Sequence, residues 1–398
     1  MSSPPASSPT VQGLFAAVAT ACGVPEPRQP AGAVDWAEFV RLVDRHQVAP
    51  LVQQAGWLPQ AGAPPDTQAA IYERTRRGTL RSLRMLAFQC EAIAALAEAG
   101  VNAIVLKGSA LAAGAYGSPG ARQAGDLDLL VKPDAVPTAV DALRAAGLDW
   151  VGWREPDDPD RPPVDPAVLR RAAALPLLHD VTLGRDDLRL ELHWRLFTND
   201  ALMPTEEQWL TAPRVVEADG MRIPTLPLSA EWWYLLVHGS QHFWSRMKWL
   251  ADVPAVVLHR PEIVQPRRLE EAAAAGHDRS VATGLIVAEA AFGRFLPPES
   301  RAWARNVRGT SALVKKSWAA LVAAHDPASQ ISPRALPGDV RARLNLRRDA
   351  AYRRGELRLM LLAAARAQAV ENPGPMYLLR GPTSWARRSA RRIARTHS

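Results

Sequence analysis

Apolar residues recur at three- and four-residue spacing through the first hundred positions, so residues 11 to about 99 read as helical. The segments 34–55 and 67–100 carry this period most clearly, and 56–66 between them, rich in Gly and Pro, reads as a loop. The second segment ends at Gly100, a natural helix terminator. After it the pattern shortens. Residues 101–106 (VNAIVL) are apolar and partly β-branched and read as a buried strand. Ser109 is placed to cap a short helix, 110–116, that stops at Gly117. Residues 126–131 alternate acid and leucine and then turn apolar, as a second strand does. Residues 134–146 read as a helix capped by Asp134, and 148–153 as a third strand. The stretch 154–166, dense in Pro and Asp, reads as a loop. Residues 177–183 and 188–196, joined by a turn at 184–187, read as a β-hairpin.

From Ser229 the helical period returns. Trp233, Leu236, Ser240, Trp244, Met247 and Ala251 fall on one face of a single helix, with Ser229 as its cap and Glu231 in its first turn. Further helices are expected over 280–295, 311–324 and 339–370. The order is helices, then β-α-β-α-β, then helices. It predicts an α+β protein in which a small mixed β-sheet is flanked by N- and C-terminal helical regions. The expected divisions are a disordered lead at 1–10, a helical region at 11–99, the α/β core at 100–226, a helical C-terminal domain at 227–378 and a basic tail at 379–398.

Composition narrows the class. Hydrophobic residues make up 47% of the 398 positions, an ordinary share for a globular protein with a sizeable core. Cys22 and Cys90 lie far apart in no metal or redox spacing, which argues against a disulfide framework and for a reducing, cytoplasmic setting. No long uncharged apolar run marks a transmembrane segment, and the N-terminus lacks the pattern of a signal peptide. The net charge of +8 is uneven. No acid falls between Asn372 and Ser398, while Arg380, Arg387, Arg388, Arg391, Arg392 and Arg395 do, so the tail is either a solvated face or a contact for a polyanion.

Asp126-Leu127-Asp128 is the strongest candidate chemistry, with a solvated strand edge as its plain alternative. Residues i and i+2 of a strand share a face, so the two carboxylates project together while Leu127 and Leu129 enter the core. Carboxylates that close repel unless a cation lies between them, and a hard divalent ion such as Mg²⁺ prefers oxygen ligands. In the strand 188–196, Arg189, Glu191 and His193 share a face, and Glu191 would supply a third carboxylate to a metal site. Arg189 is placed to pair with a carboxylate in the alternative. Gly108-Ser109, between a strand and a helix, offers backbone N–H groups to phosphate, although Ser109 serves equally as a simple cap. Lys107 and Arg122 flank that loop as phosphate ligands, with a surface lysine as the other reading of Lys107. His238, His242, Ser245, Trp249 and Asp252 form a second face of the later helix. That face is partly buried hydrogen-bonded histidine, a zinc pair or the lining of a cleft; His193, His242, Lys248 and Asp252 are the cleft candidates, with an intrahelical Lys248–Asp252 pair as the plain alternative. Trp194 is the tryptophan placed to stack on a base.

The stretch from Leu106 to Val131, with its Lys-Gly-Ser start, its Arg122 and its Asp-Leu-Asp, resembles the signature of the polymerase-beta-like nucleotidyltransferase superfamily. More closely, it resembles bacterial nucleotidyltransferase family proteins that add a downstream acid-x-His-Trp strand, here Glu191-Leu192-His193-Trp194. These also carry a His- and Trp-containing helix leading to Lys-Trp-Leu-x-Asp, here Lys248 to Asp252. The resemblance covers roughly residues 100–260. This chain departs from the pattern in the sixteen residues between Ser109 and Asp126, longer than usual, and in having Glu191 where Asp is more common.

The resemblance implies a nucleotidyltransferase core. In it Asp126, Asp128 and Glu191 hold Mg²⁺ (or Mn²⁺), Glu191 alternatively taking the acceptor's proton. Lys107, Gly108, Ser109 and Arg122 bind the NTP, and a nucleoside monophosphate passes to a hydroxyl of a small molecule, peptide or protein with release of pyrophosphate. Two further readings stand beside it: a non-catalytic nucleotide- or nucleic-acid-binding protein on the same core, using the arginine tail, and a helical interaction module with a vestigial α/β insert.

Overall fold

The computed structural model describes residues 7–118, 120–150, 178–218, 220–323 and 336–371. The arginine-rich tail, the loop 154–166 and the last residues of the expected third strand lie outside them. The chain is mixed α and β, with strands in its middle and helical stretches on either side along the sequence, as the hydrophobic pattern predicts. The strands are β1 (Glu26–Pro27), β2 (Ile104–Val105), β3 (Leu127–Leu130), β4 (Asp149–Trp150), β5 (Asp180–Arg185), β6 (Leu188–His193), β7 (Arg214–Ala218), β8 (Met221–Thr225) and β9 (Gly293–Arg294). Among the described residues no helix is long and apolar enough to cross a membrane.

Two compact units form. The first draws its described residues from Met1–Ala87, Val105–Gly125 and Pro213–Asp349; the second from Phe88–Ile104, Asp126–Ala212 and Ala350–Ser398.

The first unit is built on helix Pro9–Ala21, whose residues from Leu14 to Ala19 are all buried. Ser8 caps it, accepting from the Val11 amide at 3.3 Å, and Pro9 suits the first turn because no carbonyl there needs its missing N–H. Phe15 meets Phe292 edge-on at 6.1 Å and Trp318 at 5.6 Å. The Gly- and Pro-rich stretch expected as a loop holds a helical turn, Trp57–Gln60, because Trp57 is drawn into the core and stacks on Phe39 at 6.0 Å. β7 and β8 form an antiparallel hairpin, and Val105 pairs in parallel with Thr225 of β8. β1 pairs with β9, where a side chain on Gly293 would meet the Glu26 carbonyl at 2.4 Å.

The helix expected to run on from Ser229 is two helices, Leu228–Gln241 and Met247–His259. Phe243 and Trp244 both take φ of 50°, a left-handed conformation disfavoured for bulky residues. What holds them there is Trp244, which is fully buried, lies over Gly239 and Gly284, and donates from Nε1 to the Ser240 hydroxyl at 3.3 Å. Pro227 rather than Ser229 stands at the N-terminus. The long terminal helix is likewise divided, into Leu336–Leu344 and Ala350–Glu371.

In the second unit the strand order is β4-β5-β6-β3. β3 runs parallel to β6, and β5 runs antiparallel to both β4 and β6. Leu127, Leu129, Leu190 and Leu192 are almost wholly buried on one face. The hairpin turn is Asp186-Asp187, with Asp186 at φ 54°, two residues later than the glycine suggests. Gly184 is inside β5, because a side chain there would meet the Leu188 carbonyl at 2.7 Å. Helix Val136–Ala145 buries Val136, Ala139, Val140 and Leu143, and it follows a 3₁₀ turn, Pro133–Ala135, so Asp134 is not its cap. Helix Ala350–Glu371 is fastened by Asn199, whose side-chain amide donates to the Tyr352 carbonyl at 2.9 Å.

Candidate active site

Parallel pairing of β3 with β6 sets Asp128 opposite Glu191 and Leu130 opposite His193. Side chains on neighbouring strands at matched register stand on the same face, so Asp128, Glu191 and His193 converge. One ligand atom from each of the three lies within 4.8 Å of the other two. Asp128 is 3% exposed and His193 4%, while Glu191 is half-buried. His193 Nε2 lies 3.3 Å from Asp128 Oδ1 and 3.5 Å from Glu191 Oε2. Its Nδ1 is buried with no hydrogen-bond partner.

Asp126 stands outside this set of three. It sits half-buried at the bend just before β3, since the strand begins at Leu127. Its charge nevertheless reaches Glu191. The hydrogen bond from His193 pulls the Glu191 carboxyl down, but burial and the charges of Asp128 and Asp126 outweigh it and hold the group above its ordinary value. Burial disfavours the His193 imidazolium, yet hydrogen bonds to Asp128 and Glu191 and the charge of Asp180 push its pKa up to about 10. Asp180, on β5 opposite His193, was not among the expected residues. Counting back from the turn expected at 184–187 pairs His193 with Leu178; only the two-residue turn Asp186-Asp187 brings Asp180 opposite it. His179, beside it, lies 3.0 Å from Asp180 Oδ1 and 2.9 Å from the Thr198 hydroxyl.

Negative side chains crowded on one strand face, with an imidazole nitrogen among them, make a donor set for a divalent cation. Carboxylate oxygens suit Mg²⁺ and Mn²⁺, and an imidazole shifts the preference toward the later transition metals. The residues fit such an ion. Asp128 and Glu191 would supply oxygens, and His193 would supply Nε2 once its proton is lost. Arg189, on the same strand face, donates instead to the Asp186 and Leu188 carbonyls, at 2.7 and 2.9 Å. Trp194 is 1% exposed, so its ring belongs to the core and offers no face to a base.

The remaining expected residues lie in the first unit. Gly108 takes φ 66°, ψ −121°, a conformation that favours glycine, and precedes helix Ser109–Tyr116. Ser109 is the first helical residue and Gly108, not Ser109, stands at the cap position. Lys107 Nζ lies 3.3 Å from His238 Nε2. Arg122 and Asp252, expected on the nucleotide loop and in a cleft, meet in the interior. Arg122 donates from Nε and Nη2 to the two Asp252 oxygens at 2.8 and 2.9 Å, and the Tyr116 hydroxyl donates to the same carboxylate at 2.9 Å. This fork-to-fork geometry is the strong form of the pair, and it ties the loop before Asp126 to helix Met247–His259. His242 is exposed and Lys248 half-buried.

A family model described as uncharacterised nucleotidyltransferase matches residues 32–293, well over half of the chain. No curated protein and no solved structure matches.

Proposed function

The chain belongs to the uncharacterised nucleotidyltransferase family, and on that footing we propose that it moves a nucleoside monophosphate from an NTP to a hydroxyl acceptor, releasing pyrophosphate, with Mg²⁺ or Mn²⁺ as cofactor. The observation that carries this reading is the register of β3 against β6, which converges Asp128, Glu191 and His193 with Asp126 close enough to act on Glu191. A divalent ion held by these residues would supply Lewis acidity toward the phosphate and acceptor oxygens.

The chain's own groups divide the remaining work. Asp128, buried, holds its oxygens fixed toward the centre. Glu191, half-buried opposite Asp128, would hold the ion with it or receive the acceptor's proton as its oxygen attacks the α-phosphorus and the bond to the β-phosphate breaks. Asp126 adds negative charge at the mouth of β3. Gly108 and Ser109 offer backbone N–H groups to the phosphates at the start of their helix, with Lys107 supplying positive charge. Arg122, given over to Asp252, orders the loop that leads into Asp126.

The test is turnover of α-labelled NTPs with Mg²⁺ or Mn²⁺ and a panel of hydroxyl acceptors. Asp128→Asn and Glu191→Gln should each lower kcat by about 10³-fold or more. His193→Gln should weaken metal binding by roughly 10–100-fold. Full turnover in Asp128→Asn would remove this site from consideration.

A further inference from the structure

Four side chains of the first unit gather where three pieces of chain meet. Lys107 ends the segment from β2 and immediately precedes Gly108 and Ser109. His238 lies in the last turn of helix Leu228–Gln241, and His242 follows as its C-terminal cap. Trp249 comes from the first turn of helix Met247–His259. The two imidazoles are 4.6 Å apart between ring centres. Trp249 closes the group at 5.3 Å from His238, edge to face, and 5.2 Å from His242. Lys107 Nζ stands 3.3 Å from His238 Nε2. His242 is exposed and the other three are half-buried, so the group is open to solvent on one side. The left-handed step at Phe243 and Trp244 turns the chain so that Trp249 returns to the two histidines.

The chemistry of this group selects its ligand. A metal ion on His238 Nε2 would face an ammonium at hydrogen-bonding distance, which opposes a second cation there. An anion meets the reverse situation. Lysine is a compact charge well suited to phosphate, and imidazole N–H groups donate to phosphate oxygens. The indole and the outer imidazole add flat apolar walls.

We propose that Lys107, His238, His242 and Trp249 form a polyphosphate-binding subsite continuous in the chain with Gly108 and Ser109. The identity of the physiological ligand as a nucleotide rests on the nucleotidyl-transfer reading above; the affinity for a polyphosphate anion does not.

Titrating the full-length protein with inorganic tripolyphosphate in EDTA, by calorimetry and by tryptophan emission, tests the two separately. Wild-type protein should bind, with a change of emission that Trp249→Phe abolishes. The double variant His238→Gln, His242→Gln should bind at least about tenfold more weakly, equivalent to ~1.4 kcal/mol. Lys107→Gln, a change at a half-buried position, should do the same and serves if the histidine variant does not fold. Unchanged affinity in folded Lys107→Gln or in the histidine variant, or no binding by the wild type, overturns the subsite and leaves nucleotidyl transfer standing. Variant-sensitive binding alongside a complete lack of NTP turnover upholds the subsite and removes the transfer reaction.

Discussion

Glu231 shows how one carboxyl links the fold to pH. It is 6% exposed, and burial pushes it up to about 7 against the pull of Arg214 and Arg260, with the charge of Asp252 adding to the rise. The unfolded chain releases this proton near 4.5, whereas the folded chain keeps it to about 7. Between those values the folded state binds more protons, so the contribution of Glu231 to stability falls as pH rises and is at its lowest above 7. Glu231→Gln removes that titration. Denaturation curves across this range should show the wild type losing up to roughly 3 kcal/mol relative to the variant; parallel pH profiles would show that another group is responsible.

At the same scale, the same-face placement of Glu191 and His193 is legible from period two alone. Which of the three polar residues on that face turns inward is not. Arg189 is held by turn carbonyls and His193 by Asp128, and both depend on a strand pairing that no local pattern specifies.

Elements with a long period were the readable ones. Helix Pro65–Glu98 and the hairpin of β5 and β6 follow directly from spacing. The break between Leu228–Gln241 and Met247–His259 was hidden because Trp233, Leu236, Ser240, Trp244 and Met247 keep helical spacing across it, and only the tertiary fit of Trp244 shows why the chain reverses. β7 and β8 carried an available signal, Asp219-Gly220 between alternating residues, of the kind that marks a hairpin turn. The two-residue pairing of β1 with β9 had none. The Trp244 fit is testable. A methyl group added at Gly239 would lie 2.4 Å from the indole. Replacing a helical glycine with alanine favours the helix by at most about 1 kcal/mol, whereas the clash should cost about 1–3 kcal/mol or more. Gly239→Ala should therefore unfold at lower denaturant concentration than the wild type; equal or greater stability would show that Trp244 packs elsewhere.

Over the whole molecule, the net charge of +8 and the six arginines from Arg380 to Arg395 keep a polyanion contact in view. If the tail makes that contact, removing residues 379–398 should abolish salt-sensitive binding to oligonucleotides while leaving NMP transfer intact. Binding that survives the truncation places the contact elsewhere on the chain. The mixed α and β class and the helical stretches on either side of the strands were legible along the chain. The partition into two units was not, because each is assembled from stretches that local periodicity cannot group.

That interleaving has a practical consequence. The residues from Asp126 to His193 share a unit with helix Ala350–Glu371, which Asn199 grips, and the chain visits the other unit in between. No single contiguous fragment encodes either half. A premature stop before Asp349 therefore leaves both incomplete, whereas a later one truncates only the unit that holds Asp128, Glu191 and His193.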